Sequence, residues 1–217
     1  MAKRIIIIAG HYGAGKTNVA VALALAHAND AGGCVLCDLD TVNPYFRAAD
    51  DTSLLNATGV RTVIPEYANS NVDIPTLPAE IASVFYSDET VIFDVGGDDG
   101  ASALGVYAAD IERAGYEMLA VVNMYRPLIA DPDEAVTDMR EIEQYSRLRF
   151  TGIVNNSNLG DETTKNDIEA SAEYASSIAA LSGLPLVYTT VVGEDNAPDT
   201  VPAGDILVMK NSTKKLF

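Results

Sequence analysis

Gly10-His11-Tyr12-Gly13-Ala14-Gly15-Lys16-Thr17 fits the pattern G-x-x-x-x-G-K-[ST], and its flanks decide how it is read. Before it runs Arg4-Ile5-Ile6-Ile7-Ile8-Ala9, an apolar, β-branched run that reads as a buried parallel strand; after it, Val19 to Ala28 is rich in Ala and Leu without a breaker and reads as a helix. Strand, glycine loop, helix is the order a phosphate-cradling loop requires. Glycines at 10, 13 and 15 let the backbone curl so that successive amide N–H groups, with the positive end of the following helix, face a di- or triphosphate. Lys16 is then placed to reach the outer phosphate oxygens, and the Thr17 hydroxyl to ligate Mg²⁺. The expected nucleotide contacts are thus Gly10, His11, Tyr12, Gly13, Ala14, Gly15, Lys16 and Thr17, with Asn18 directly after them. A Gly-rich turn that binds nothing is the bland alternative.

With 217 residues, 48% of them hydrophobic, the chain can bury one substantial core, which predicts a single domain over 1–217. A formal net charge of −17 makes the surface repel phosphate backbones and anionic lipid, so nucleic acid and membrane are not expected partners. Lys3-Arg4 and four isoleucines could mimic a signal peptide, yet the apolar run ends at once in the glycine loop, and no segment is long enough to cross a bilayer. The expected location is cytoplasmic. Cys34 and Cys37 form a C-x-x-C within an apparent strand, where residues three apart point to opposite faces, so they read as two small buried hydrophobes and not as a metal or disulfide site.

The chain alternates strand and helix. Strands are expected near 4–9, 33–37, 60–64, 90–94, 118–122, 150–154 and 185–189, with a last one at 205–209; helices near 16–31, 46–57, 76–86, 101–114, 132–146 and 163–182. Such alternation implies an α/β fold, a three-layer sandwich with a mostly parallel sheet and helices on both faces. Ligands in such sheets sit at the C-terminal strand ends, so chemistry is expected in the loops that follow strands.

Two of those loops carry clustered carboxylates. After the second strand comes Asp38-Leu39-Asp40-Thr41-Val42-Asn43-Pro44-Tyr45-Phe46-Arg47; after Val91-Ile92-Phe93 comes Asp94-Val95-Gly96-Gly97-Asp98-Asp99-Gly100. In the second, Asp94 can hold a Mg²⁺ water, while Gly97 offers its N–H to the terminal phosphate and lets the loop move when that phosphate leaves. The alternative makes Asp38 a cap and Asp94 a turn residue.

On these motifs the chain resembles the CobQ/CobB/MinD/ParA group of P-loop proteins, the deviant-Walker-A-like ATPases. It looks most like uncharacterised bacterial and archaeal ATP-binding proteins that share G-H-Y-G-x-G-K-T, D-L-D-x-V-N-P-Y-F-R, D-V-G-G-D-D and V-N-N-x-N-L-G. The resemblance spans Ile5 to about Thr190 and implies a P-loop NTPase fold with ATP and Mg²⁺ as cofactors. It puts Lys16 and Thr17 on phosphate and metal, with Asp94 and Asp38 as the carboxylates at Mg²⁺. It makes Asp38 and Asp40 a switch pair that, with Lys16, carries catalysis, Asp40 positioning the attacking water.

One departure stands out. MinD-like and ParA-like proteins carry, after the first loop glycine, a lysine that reaches across a homodimer to the partner's nucleotide; this chain has His11. Histidine is shorter and mostly neutral near pH 7. Three arrangements stay open: His11 donating one hydrogen bond to phosphate, Arg47 supplying the charge, or the loop working within a monomer.

The strand 150–154 leads into Asn155-Asn156-Ser157-Asn158, where guanine-specific relatives carry N-K-x-D. Asn158 lacks the double acceptor of that aspartate, and Asn155 can pair with an adenine edge, so ATP is expected over GTP. The alternative makes Asn155 a residue that stabilises its own loop. Asn123-Met124-Tyr125-Arg126-Pro127 follows another strand; Arg126 could bind an acidic partner or substrate, or serve as a surface ion pair. The resulting expectation is a slow Mg²⁺-dependent ATPase that switches a protein client. The alternatives are a small-molecule kinase or synthetase, and a binding module with negligible turnover.

Overall fold

The computed structural model describes residues 4–39, 55–63, 79–193 and 204–209. Asp40, Arg47, most of the helix expected near 46–57 and the first residues of the one near 76–86 lie outside the described residues. Within them, eight strands form one sheet: β1 (Ile5–Ala9), β2 (Cys34–Asp38), β3 (Arg61–Val63), β4 (Thr90–Asp94), β5 (Glu117–Val122), β6 (Gly152–Asn155), β7 (Leu186–Val192) and β8 (Asp205–Met209). Their order is β3-β2-β4-β1-β5-β6-β7-β8, and every neighbouring pair is parallel.

Burial follows position in that order. Every residue of β1, β2 and β4 is buried, as strands covered on both faces require, and their Ile, Val and Phe side chains feed the core. At the edge, β8 buries only Leu207 and Met209 while Ile206 and Val208 are exposed, the period-two pattern of a half-covered strand. The expected strands are all present. Cys34 and Cys37 are free and buried in β2, as their strand setting predicts.

The helices are α1 (Lys16–Ala26), α2 (Ala79–Val84), α3 (Gly97–Gly105), α4 (Ala108–Ala114), α5 (Pro132–Ser146), α6 (Lys165–Ala170) and α7 (Ala172–Ser182). Two expected single helices are each divided. The one near 101–114 starts earlier, at Gly97, because Asp98 and Asp99 suit the positive first turn, and it breaks at Val106–Tyr107. That near 163–182 breaks at Ser171, after a capping box in which Thr164 and Asp167 satisfy each other's backbone N–H groups. Helix α5 starts where Pro132 sits at its first position and the Asp131 side chain accepts from the N–H groups of Asp133 and Glu134.

Candidate nucleotide site at the C-terminal sheet edge

The glycine loop leaves the central strand β1 between β4 and β5, so the loops after both neighbours flank it. Two of its glycines are required by space as well as by φ. A Cβ on Gly10 (φ +150) would stand 2.5 Å from the Val121 carbonyl oxygen, and one on Gly15 (φ +88) would strike the Asn156 amide at 2.3 Å. Gly15 occupies the N-cap of α1 in the left-handed region and offers no side-chain acceptor, so the helix opens with backbone N–H groups facing the loop. Lys16, buried, turns back to donate from Nζ to the His11 carbonyl at 3.0 Å.

The Thr17 hydroxyl donates to Asp94 Oδ2 at 2.7 Å, across the β1–β4 boundary. Asp94 ends β4 and is only 2% exposed; Asp38, also buried, ends β2 directly opposite it in the register. The Leu39 N–H donates to the Asp94 carbonyl oxygen at 2.8 Å, which carries the chain past this point toward Asp40. A hydroxyl bonded to one carboxylate, with a second carboxylate ending the adjacent strand, is a hard-oxygen donor set, and Mg²⁺ is held by one or two such protein ligands with waters and phosphate oxygens completing its shell. The residues present therefore fit that ion: Thr17, Asp94 and Asp38 would hold it and it would neutralise phosphate charge. Gly97, at φ +53, opens α3 beside this centre, and a Cβ there would meet nothing within 4 Å.

The loop after β6 acts mainly through Asn156, which the sequence reading passed over. Its Nδ2 donates to the Ala14 carbonyl at 2.6 Å, and its Oδ1 accepts from Thr190 Oγ1 at 2.6 Å and from Asn158 Nδ2 at 3.0 Å. One buried amide thus ties the phosphate loop to the ends of β6 and β7. Asn155 is also buried: it donates to Ser171 Oγ at 2.8 Å, and its Oδ1 accepts from the hydroxyl and the N–H of Ser157. Those contacts hold its own loop.

His11 has Nδ1 2.8 Å from the Tyr12 carbonyl oxygen, so that nitrogen carries the proton and donates. Tyr12 is two-thirds exposed. Arg126 leaves the loop after β5 and runs over Gly13, its Cδ and Nε each 3.8 Å from where a Cβ on Gly13 would lie.

A second residue that sequence reasoning missed is Asp138, on α5. Burial raises its pKa above the ordinary carboxylate range, the charges of His11 and Lys16 pull it back, and Glu141 and Asp98 push it further up. Its carboxylate therefore lies within the field of the phosphate loop and of the first turn of α3. The signal in the sequence was slight: an acidic residue flanking the apolar stripe Ala135, Val136, Met139 and Ile142.

A protein-family model described as Zeta toxin matches residues 1–64, which hold the β1–loop–α1 unit. No curated protein sequence matches the chain. Among solved structures the chain is similar to the cell division protein ftsY of Thermotoga maritima, at 18% identity and TM-score 0.58 over 92% of this chain and 66% of that one. It is similar also to the signal recognition particle receptor FtsY of Elizabethkingia anophelis, at 19% identity and TM-score 0.52 over 93% and 63%. A third is the chloroplast FtsY of Physcomitrella patens, at 19% and 0.57, again over 93% and 63%. The chain spans less than two thirds of the length of each. At such identities the likeness is one of fold, and with the parallel sheet and glycine loop it is decisive on that point: the chain has the α/β fold of a P-loop NTPase.

Proposed function

We propose that the chain is a Mg²⁺-dependent nucleoside-triphosphate-binding protein, ATP being the favoured nucleotide, that hydrolyses slowly and switches a protein client. The observation that carries this is the Thr17–Asp94 hydrogen bond at 2.7 Å beside Lys16 at the opening of α1. Groups suited to a metal ion and to phosphate stand together there, and placing such groups is most of what phosphoryl transfer asks of a protein. Lys16 would exchange the His11 carbonyl for phosphate oxygens. Asp38 and Asp94 would hold the ion, Gly97 would donate its N–H to the terminal phosphate, and Asp40 would orient the attacking water.

The resemblance to the CobQ/CobB/MinD/ParA group supports the switch, through Asp38-x-Asp40 and Asp94-x-x-Gly97. Adenine selection is assigned to the Asn155–Asn158 loop; the expected base contact at Asn155 gives way to a loop-holding role, since its buried amide is bonded to Ser171 and Ser157. No helix among the described residues is long and apolar enough to cross a membrane.

A phosphotransferase acting on a small molecule is the second reading, and Asp138 favours it. A half-buried carboxylate near Lys16 is suited to accept the proton of an acceptor hydroxyl. Two experiments test the pair. Light scattering of Asp40→Ala with and without Mg-ATP should show a nucleotide-dependent dimer if the switch dimerises; an unchanged mass with ATP bound removes the dimer. Incubation with γ-labelled ATP should release label as inorganic phosphate; label recovered on an added metabolite instead would establish the phosphotransferase.

A further inference from the structure

Arg126 is placed as no ordinary surface arginine is. Its Cδ and Nε lie against the phosphate loop at Gly13, which brings the root of an exposed guanidinium group to that loop. Gly13, at φ +77, lies at the middle of the loop, where backbone N–H groups of such loops meet the outer phosphates. The backbone that presents Arg126 is fixed on every side. The Asn123 side chain accepts from the Tyr125 N–H at 3.0 Å, and Ser157 Oγ accepts from the Met124 N–H at 3.0 Å. The Tyr125 hydroxyl donates to the Asp167 carbonyl at 3.0 Å, and the Tyr174 hydroxyl donates to the Ile129 carbonyl at 2.5 Å. Arg4, Arg61, Arg113 and Arg149 are each paired with a carboxylate, whereas among the described residues the Arg126 side chain, like those of Arg140 and Arg147 on and after α5, has no hydrogen bond or ion pair, and of these three it is Arg126 that lies against the phosphate loop.

We propose that Arg126, supplied from within the chain, contacts the terminal phosphates of the bound nucleoside triphosphate and stabilises the charge that develops as the γ-phosphoryl group is transferred. The inference rests on the reading of Gly10–Thr17 as a triphosphate site and adds a catalytic residue to it. In hydrolysis the water oxygen forms a bond to the γ-phosphorus as the bond from phosphorus to the β–γ bridging oxygen breaks. The electron pair of that bond stays on the β-phosphate of the diphosphate, and the water's proton ends on the released phosphate. Negative charge therefore grows on the bridging and transferred oxygens, at the loop that Arg126 lies against. A guanidinium fork can donate to both at once, and a rigid mounting spares it reorganisation during the reaction.

The test compares a ground-state probe, Mg-ADP, with a transition-state mimic, Mg-ADP plus aluminium fluoride, by calorimetry on the wild type, Arg126→Ala and Arg126→Lys; GDP replaces ADP if guanine is the base bound. Arg126→Ala is expected to keep ADP affinity within about threefold while losing on the order of 10³-fold of the tightening that aluminium fluoride brings, in line with the rate effects of arginines in this role. Arg126→Lys, a point charge without the fork, should restore only part of it. Undiminished tightening in Arg126→Ala, an equal loss for both probes, or no tightening in the wild type would each overturn the proposal. A wild type that binds neither ADP nor GDP would overturn the triphosphate reading itself, a result distinct from all of these.

Discussion

Asn156 stands between three strand ends, and its side chain is hydrogen-bonded at both its oxygen and its nitrogen. Truncation to alanine would remove the donor to the Ala14 carbonyl and leave the Thr190 hydroxyl only its longer bond to the Asn155 carbonyl. The expected cost is about 1–3 kcal/mol of stability, read by denaturant melting, together with weaker nucleotide binding as the loop loosens. An Asn156→Ala protein of wild-type stability would contradict that role. Asp138 gives a pH signature. Because burial raises its pKa in the folded chain, the native state binds its proton more tightly than the unfolded state does. The contribution is full below the unfolded pKa and is lost as pH rises through the raised folded value. Relative to Asp138→Asn, the wild type should therefore gain stability as pH is lowered through that window; a difference that does not vary with pH would refute it. Asn156 and Asp138 were both hard to read beforehand, since each acts through neighbours that only the fold brings near.

At the level of elements the sequence was most legible where one physical signal dominates. The run Ile5–Ile8 reads as a strand buried on both faces and is one, and the glycine loop expected after it follows directly, with Gly10 and Gly15 fitting where a Cβ would clash. Boundaries were less legible. Helix α3 starts at Gly97, which reads as loop until Asp98 and Asp99 are seen as its first turn. Strand β2 carries the cysteine test: burial raises the Cys34 thiol to about 12, with Asp30 and Glu89 adding to it, and pushes Cys37 higher still. Neither forms thiolate near neutrality, so a thiol reagent should label neither in the native protein and both after denaturation. Rapid native labelling would mean that β2 opens.

For the molecule as a whole, the order of strands does the functional work. Placing β4 between β1 and β2 sets Asp94 beside the phosphate loop and brings Asp38 next to Asp94, while β5 and β6 deliver Arg126 and Asn156 from the other side. A consequence is that residues from five strand ends meet over one loop although they span most of the chain. In a protein of net charge −17, the buried Lys16 puts a positive charge at that edge. Ligand binding there should also stabilise the fold by about 2.7 kcal/mol at a nucleotide concentration a hundredfold above its Kd, seen as a raised Tm. The most direct measurement is calorimetric titration of Mg-ATP into the wild type and Lys16→Ala. Saturable binding by the wild type and none detectable by the variant is the expected result; near-wild-type affinity in Lys16→Ala would contradict the assignment of the phosphate site.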